Sequence, residues 1–465
     1  MLLQIQHKSL FLLIFSAFVS VLTGACTHSA IAPETAEPVI PGTWERGGEV
    51  GAVDSNWLAS FNDPQISSLV QEAVTNNYTL AQERARLYQA EQTVVITKAN
   101  RFPDLDVSLN GSRRGIEDAS NATVITESFD VSADARWEVD LWGRLSKQQQ
   151  AAQLEYAAQQ ARLELTERNI AAGTAALFFD VLQARQLLEV AKRRLDNTIV
   201  SHDIVASGYR QGLNDALDLY LARNQVERQE ANYAQQGQLL TEAIAALQLS
   251  LARYPDGRMA IMSELPVIED PIPVGLPSEL LMRRSDVQES WLSLLAADAE
   301  LAGAHKARFP SLTLVGGASL ASIDFADLFD GDASTWSIAG GLSQPLFNAG
   351  RLEALEQQAY GRVQQAEQQY LDLVYRAFAD VENAISRSES LKERYESFLD
   401  AETNSAAALS LALEQYQRGL VPYTTVLESQ RQAFDAEATV VQLRNQLLQN
   451  RIDLYLALGG DFATD

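Results

Sequence analysis

The order of apolar and polar positions along this 465-residue chain changes period several times, and each change predicts an element. From Val131 to Leu141 the run Val-Ser-Ala-Asp-Ala-Arg-Trp-Glu-Val-Asp-Leu puts an apolar residue at every odd position and a polar one at every even position. Period two is the mark of a strand with one apolar face. The run is 11 residues long, the length of a tilted strand that crosses a bilayer, although a half-buried strand of a soluble sheet carries the same pattern. Weaker runs at Leu105–Asn110, Ser311–Leu320 and Trp336–Leu346 predict three further strands. The connections, Gly115–Ala122 and Asp324–Ser334, are polar. Asp324, Asp327, Asp330 and Asp332 crowd the second, but their spacing departs from an EF-hand loop and reads as a solvated external connection.

Elsewhere the period is helical. From Arg144 to Ser207, and again from Arg351 to Gln417, no proline interrupts the chain and glycine is nearly absent. About 65 residues at about 1.5 Å each give roughly 100 Å of helix. In the second run Leu352, Leu355, Ala359, Val363, Ala366, Tyr370, Leu373, Ala377, Val381 and Ala384 step by three and four and form one stripe. Many of these are alanine, which lets helices approach closely. Each long run ends in Tyr-x-x-Gly, where Gly212 and Gly419 suit the positive φ of a helix C-cap. Pro422 then suits the start of a returning helix. Ser285-Asp286-Val287-Gln288 reads as a capping box.

These features recur at a constant offset. Arg101-Phe102-Pro103 returns as Arg308-Phe309-Pro310, Gly143-Arg144-Leu145 as Gly350-Arg351-Leu352, and Tyr209-Arg210-Gln211-Gly212-Leu213 as Tyr416-Gln417-Arg418-Gly419-Leu420, each 207 residues later. The chain is therefore read as two copies of one unit. The first spans 49–260, with a helix, a β-hairpin at 104–141 and a long helical hairpin at 144–253. A linker covers 261–284. The second copy spans 285–465, with a helix, a β-hairpin at 311–347 and a long helical hairpin at 351–459. Four strands cannot close a barrel in hydrocarbon without leaving edge backbone groups unpaired. If the strands are transmembrane, two or more chains share one barrel, and three chains give twelve strands.

The N-terminus is an address. Lys8 precedes an apolar run from Ser9 to Leu22, too short for a span, so residues 1–25 read as a signal peptide. Thr23-Gly24-Ala25 leads to Cys26, the only cysteine, in the manner of a lipoprotein acylation site. Leu22 lies four residues before Cys26, where such sites prefer leucine at three, and an ordinary signal peptide with an incidental cysteine is the competing reading. Thr27, rather than Asp, fits outer-membrane sorting. Residues 26–48 are rich in Ala, Pro, Glu and Gly and read as a tether.

Composition narrows the function. Lys and Arg number 36 against 61 Asp and Glu, a net charge of -25, which argues against a nucleic-acid partner. The mature chain, without Lys8, would carry -26. One cysteine excludes an internal disulfide. His7, His28, His202 and His305 are scattered outside any metal pattern. No nucleophile–base set, phosphate loop or metal cluster is evident, so neither catalysis nor a cofactor is expected.

The stretches Trp57–Pro64, Trp137–Leu145, Gly275–Arg284, Gln344–Leu352 and Leu454–Gly460, in this order, resemble the TolC-like outer-membrane efflux proteins, in their OprM/NodT lipoprotein branch. Ser285 departs from the family, which usually has proline there. The resemblance implies a mainly α chain with a transmembrane β-barrel part. A homotrimer would share a twelve-stranded β-barrel continuous with a twelve-helix periplasmic α-barrel, anchored to outer-membrane lipid at Cys26. It also implies a periplasmic adaptor and an RND-type inner-membrane transporter as partners, and passive export. By position, Glu428 falls on the family's acidic aperture ring and Thr424 on its constriction. Tyr416 and Asp218 fall on the contact that holds the closed state, and Gly212, Leu213, Gly419 and Leu420 on the tip that receives the adaptor. Solvated helix residues remain the alternative for these positions. At the level of the chain the alternative is a lipid-anchored periplasmic coiled-coil adaptor or scaffold, although an adaptor has one helical hairpin inside lipoyl-like β-rich domains.

Overall fold

The computed structural model describes residues 38–47, 51, 56–117, 123–261, 263–267, 272–330 and 334–461. The predicted signal peptide, Cys26, most of the tether and Asp332 lie outside the described residues. After a short 3-10 turn at Trp57–Phe61, the chain forms α1 (Pro64–Asn76) and α2 (Tyr78–Ala99), then β1 (Asp104–Glu117) and β2 (Thr123–Val139). Two helices follow, α3 (Arg144–Arg210) and α4 (Ala216–Ser250). Next come α5 (Pro277–Arg283), α6 (Ser285–Lys306), β3 (Ser311–Ser322), β4 (Ser334–Ser343), α7 (Arg351–Gln417) and α8 (Tyr423–Ala457). The 207-residue offset relates both ends of α2 to α6, of α3 to α7 and of α4 to α8, and the start of β1 to that of β3.

Helix ends follow from local chemistry. The Asp140 carboxylate accepts hydrogen bonds from the Leu145 and Ser146 amides at 2.9 and 2.8 Å and satisfies the first turn of α3. At the other end, the amides of Gly212 and Leu213 donate to Tyr209 and Gly208 carbonyls at 3.0 and 2.9 Å. Gly419 and Leu420 do the same after α7, both at 2.9 Å, and the two glycines have φ of 73° and 71°. This is the Schellman closure. It recurs after α4 with Ala252 at φ 56°, where the equivalent residue after α8 is Gly459 at 69°. The Ser285 capping box does not form. Gln288 N–H donates to the Arg284 carbonyl at 3.1 Å, so the helix is entered one residue earlier. Ser285 Oγ instead lies 3.4 Å from Glu164, and the Gln288 side chain reaches the Met282 carbonyl.

The strands form one antiparallel sheet in the order β1-β2-β3-β4. Register aligns the alternation across all four. Leu105, Val107 and Leu109 face Ala135, Ala133 and Val131; the last three face Gly316, Ala318 and Leu320. Gly316 and Ala318 in turn face Ile338 and Trp336. Directly opposed residues share a face, so one face of the sheet is a continuous apolar field. The other face carries Asp104, Asp106, Asp130, Asp134 and Glu138 with Arg136, beside serines, threonines and glycines. Among the described residues nothing pairs with the outer edges of β1 and β4.

The chain divides into two compact units, each drawing on both copies. One holds Leu87–Gln159 and Ser290–Tyr370, which include the sheet. Its helices pack Leu294 and Leu301 against Ala359 and Val363. Beside them the buried Glu356 is satisfied by His305 at 2.8 Å and Arg308 at 2.6 Å. The other holds Pro38–Arg86, Gln160–Glu289 and Leu371–Asp465. Its main core joins Trp57, Leu58 and Phe61 to Phe178, Phe179, Leu247, Leu251, Ile452 and Tyr455. Side chains this large each contribute about 1.5–3 kcal/mol when buried. Residues 38–47, part of the predicted tether, lie against this unit: Trp44 is buried, its indole donates to the Gly275 carbonyl at 3.1 Å, and its ring meets Phe378 edge-on.

Candidate functional site at the helix ends

The ends of α3 and α7 and the starts of α4 and α8 carry the residues expected to gate a duct, all within one compact unit. The turns themselves are apolar and exposed. Leu213 and Leu420 are 76% and 69% exposed, with Leu217 and Tyr220 exposed beside them on α4. Just behind the turns, Val205, Ala222, Ala412, Tyr423 and Val426 form a small core, with Tyr416 packed on it. The rings of Tyr416 and Tyr423 are 5.4 Å apart.

This core traps two phenols without partners. The hydroxyls of Tyr416 and Tyr423 are buried and meet no hydrogen-bonding group among the described residues. Burial pushes the Tyr423 phenol up to about 12, aided by Tyr416 and by the Asp218 charge. Tyr416 is raised by burial and then by Asp218. Asp218 is itself raised, by burial and by Asp215, whose carboxylate caps α4 through the Leu217 amide at 2.6 Å. Tyr416 and Asp218 thus interact electrostatically, without a hydrogen bond from the Tyr416 hydroxyl.

Thr424 and Glu428 sit one turn apart on α8, both exposed. Glu428 is not a free acid. Arg431 donates to both its oxygens, at 2.6 and 3.1 Å, and Gln432 adds a third bond at 2.8 Å. These bonds, Arg431 first, hold the Glu428 carboxyl down at about 2. Arg431 also reaches Asp435 at 3.4 Å, and Arg194 on α3 reaches the same carboxylate at 3.2 Å. Arg431 was missed by reasoning from position alone, yet its (i, i+3) spacing from Glu428 is visible in the sequence.

Further along, α8 is fastened to α3 by buried amides. Gln430, 2% exposed, donates to Asn197 at 2.9 Å and Ser201 at 2.8 Å. Asn445 and Gln449 both reach Asp180, at 2.8 and 3.1 Å. Among the described residues no group of three or more His, Cys, Asp or Glu stands where it could hold a metal ion. Nor is any described helix long and apolar enough to cross a membrane.

A duplicated frame of long helical hairpins, bearing an amphipathic sheet with open edges, is the architecture of an outer-membrane channel. The family model described as "Outer membrane efflux protein" matches residues 69–253 and again 276–460. The chain belongs to the outer membrane efflux protein family. It is 30% identical over 451 residues to the cation efflux system protein CusC of Escherichia coli, covering 94% of this chain and 96% of the relative. It is also 30% identical over 410 residues to the probable outer membrane lipoprotein SilC of Salmonella typhimurium, covering 88% of each. A crystal structure of CusC superposes with a TM-score of 0.83 at 28% identity, covering 93% of this chain and all of that one.

Proposed function

We propose that this chain is the passive outer-membrane duct of a tripartite efflux system, working as a homotrimer anchored by lipid on Cys26. The observation that carries the reading is the sheet: a continuous apolar face on four strands whose two outer edges are unpaired among the described residues. Such edges are not tolerated in hydrocarbon, and three copies supply the twelve strands of a closed barrel. Thr424 and Glu428 line the periplasmic aperture, and the tyrosine core with Tyr416 and Asp218 holds its closed state. The exposed apolar turns at Gly212, Leu213, Gly419 and Leu420 receive a periplasmic adaptor, which links the duct to an RND-type inner-membrane transporter. The likeness to SilC, named as a probable outer membrane lipoprotein, supports the anchor on Cys26.

The test is biochemical. Outer-membrane fractions are expected to hold a heat-sensitive trimer that resists a salt wash, incorporates labelled palmitate at Cys26 and conducts in planar bilayers. A monomer released by salt would sink the reading.

A further inference from the structure

We infer that the groove between α3, α4 and α8, beside the proposed aperture, binds small oxyanions of the carboxylate or phosphate type. The inference rests on the duct reading for its purpose, though not for its chemistry. The groove has a volume of about 530 Å3 and is lined by Arg194, Arg228, Gln229, Thr424, Glu428 and Arg431 among others. That is the size of a small-molecule pocket.

Charge is the first argument. Three guanidiniums line the groove against one carboxylate, in a chain whose overall balance is strongly acidic. The Glu428 carboxylate is engaged by Arg431, and Asp435 is shared between Arg431 and Arg194. Arg194 is also held 5.7 Å above the Phe434 ring. Arg228 has no ion pair or hydrogen bond to any described residue, so two carboxylates face three cations. A guanidinium carries five N–H donors in a plane, and two shared carboxylates leave donors unused on all three arginines. Planar bidentate pairing with an oxyanion is the interaction such donors favour.

Gln229 adds a neutral donor to the same groove. It is 5% exposed and lines the groove. An oxyanion accepts hydrogen bonds and does not donate them, so what Gln229 offers it is the amide N–H2. Asn232, also on the lining, adds another amide. A groove of arginines and amides is suited to an oxyanion and unsuited to a bare cation. Glu428, already paired with Arg431, forms one edge of the groove.

The probes are citrate and inorganic phosphate, titrated calorimetrically into the full-length protein in detergent. Citrate is expected to bind the wild type. Arg228→Gln should weaken it about tenfold or more, the loss of one charge-assisted pair, whereas Arg228→Lys, which keeps the charge and loses the bidentate fork, should fall between the two. In planar bilayers citrate should reduce the current saturably, with the same order among variants. Equal binding by wild type and Arg228→Gln, or no binding by the wild type, overturns the inference. Citrate binding without any channel current would instead overturn the duct reading and leave the site standing.

Discussion

Glu428 and Arg431 show how a residue's neighbours decide what its charge is worth. Read by position, Glu428 is an acid at an aperture. Read with its partners, it is a carboxylate held down at about 2 by bonds from Arg431 and Gln432. A depressed carboxyl stays ionised at every pH above roughly its own value, so the wild-type side chain keeps its charge from about pH 3 upward. Removing Arg431 takes away the first cause of that depression. In Arg431→Ala the group should return toward the ordinary glutamate value of about 4.3. It would then lose its charge as pH falls from about 5 to about 4. In planar bilayers Glu428 should therefore add nothing to the pH dependence of the reversal potential in that window in the wild type. The variant should show a cation preference that fades on acidification through it. A variant profile no steeper than that of the wild type would mean that Glu428 does not face the conducting path.

Among the elements, the apolar stripe and the lack of proline located α7, which begins and ends where the sequence places it, whereas the duplication and the Tyr-x-x-Gly turns indicated the other hairpin helices. The strands were legible only in part. Alternation marks Val131–Leu141, but β2 begins eight residues earlier at Thr123, through Val124 and Ile125, which break the period. Backbone pairing continues past the apolar band because each amide and carbonyl needs a partner whatever side chain it bears. The Ser285 capping box failed because Arg284, tied to Asp286 at 2.7 Å and Asp380 at 2.9 Å, is held at the helix entrance and its carbonyl takes the Gln288 amide. Gate positions could be assigned by resemblance. Arg194 and Arg228 could not, since only the packing of three helices brings them to one groove. The docked arm at 38–47 was equally invisible, because its composition is that of a tether and its fastening depends on distant residues. The amides of Glu45 and Arg46 donate to Glu382 at 2.8 and 3.3 Å, and Trp44 anchors the segment. Truncating a buried tryptophan removes about 3–5 kcal/mol of packing, more than two exposed hydrogen bonds supply. Trp44→Ala should release the arm while the rest of the unit stays folded. Limited trypsin digestion should then cut after Arg46 several-fold faster than in the wild type. Equal cleavage rates would show that the arm is not held by Trp44.

At the scale of the whole molecule, the register of the sheet makes the membrane reading sharper than strand length alone. Ile338 on β4 stands in a row with Gly316, Ala135 and Leu105, all on the apolar face. Ser337, its immediate neighbour, stands in a row with Gly317, Asp134 and Asp106 on the polar face. Both positions are exposed in one chain, so burial does not distinguish them. A soluble edge strand would tolerate arginine at either. In a bilayer the two diverge. Arginine on a lipid-facing position near the midplane costs about 2–4 kcal/mol, whereas arginine at 337 enters a row with two carboxylates and is neutral or favourable. Ile338→Arg should therefore deplete the heat-sensitive oligomer from outer-membrane fractions, while Ser337→Arg should accumulate to near wild-type levels. The same charge on adjacent residues, with opposite outcomes, isolates the solvent on each face as the cause. Equal accumulation of the two variants would place the sheet in water and remove the barrel from the account.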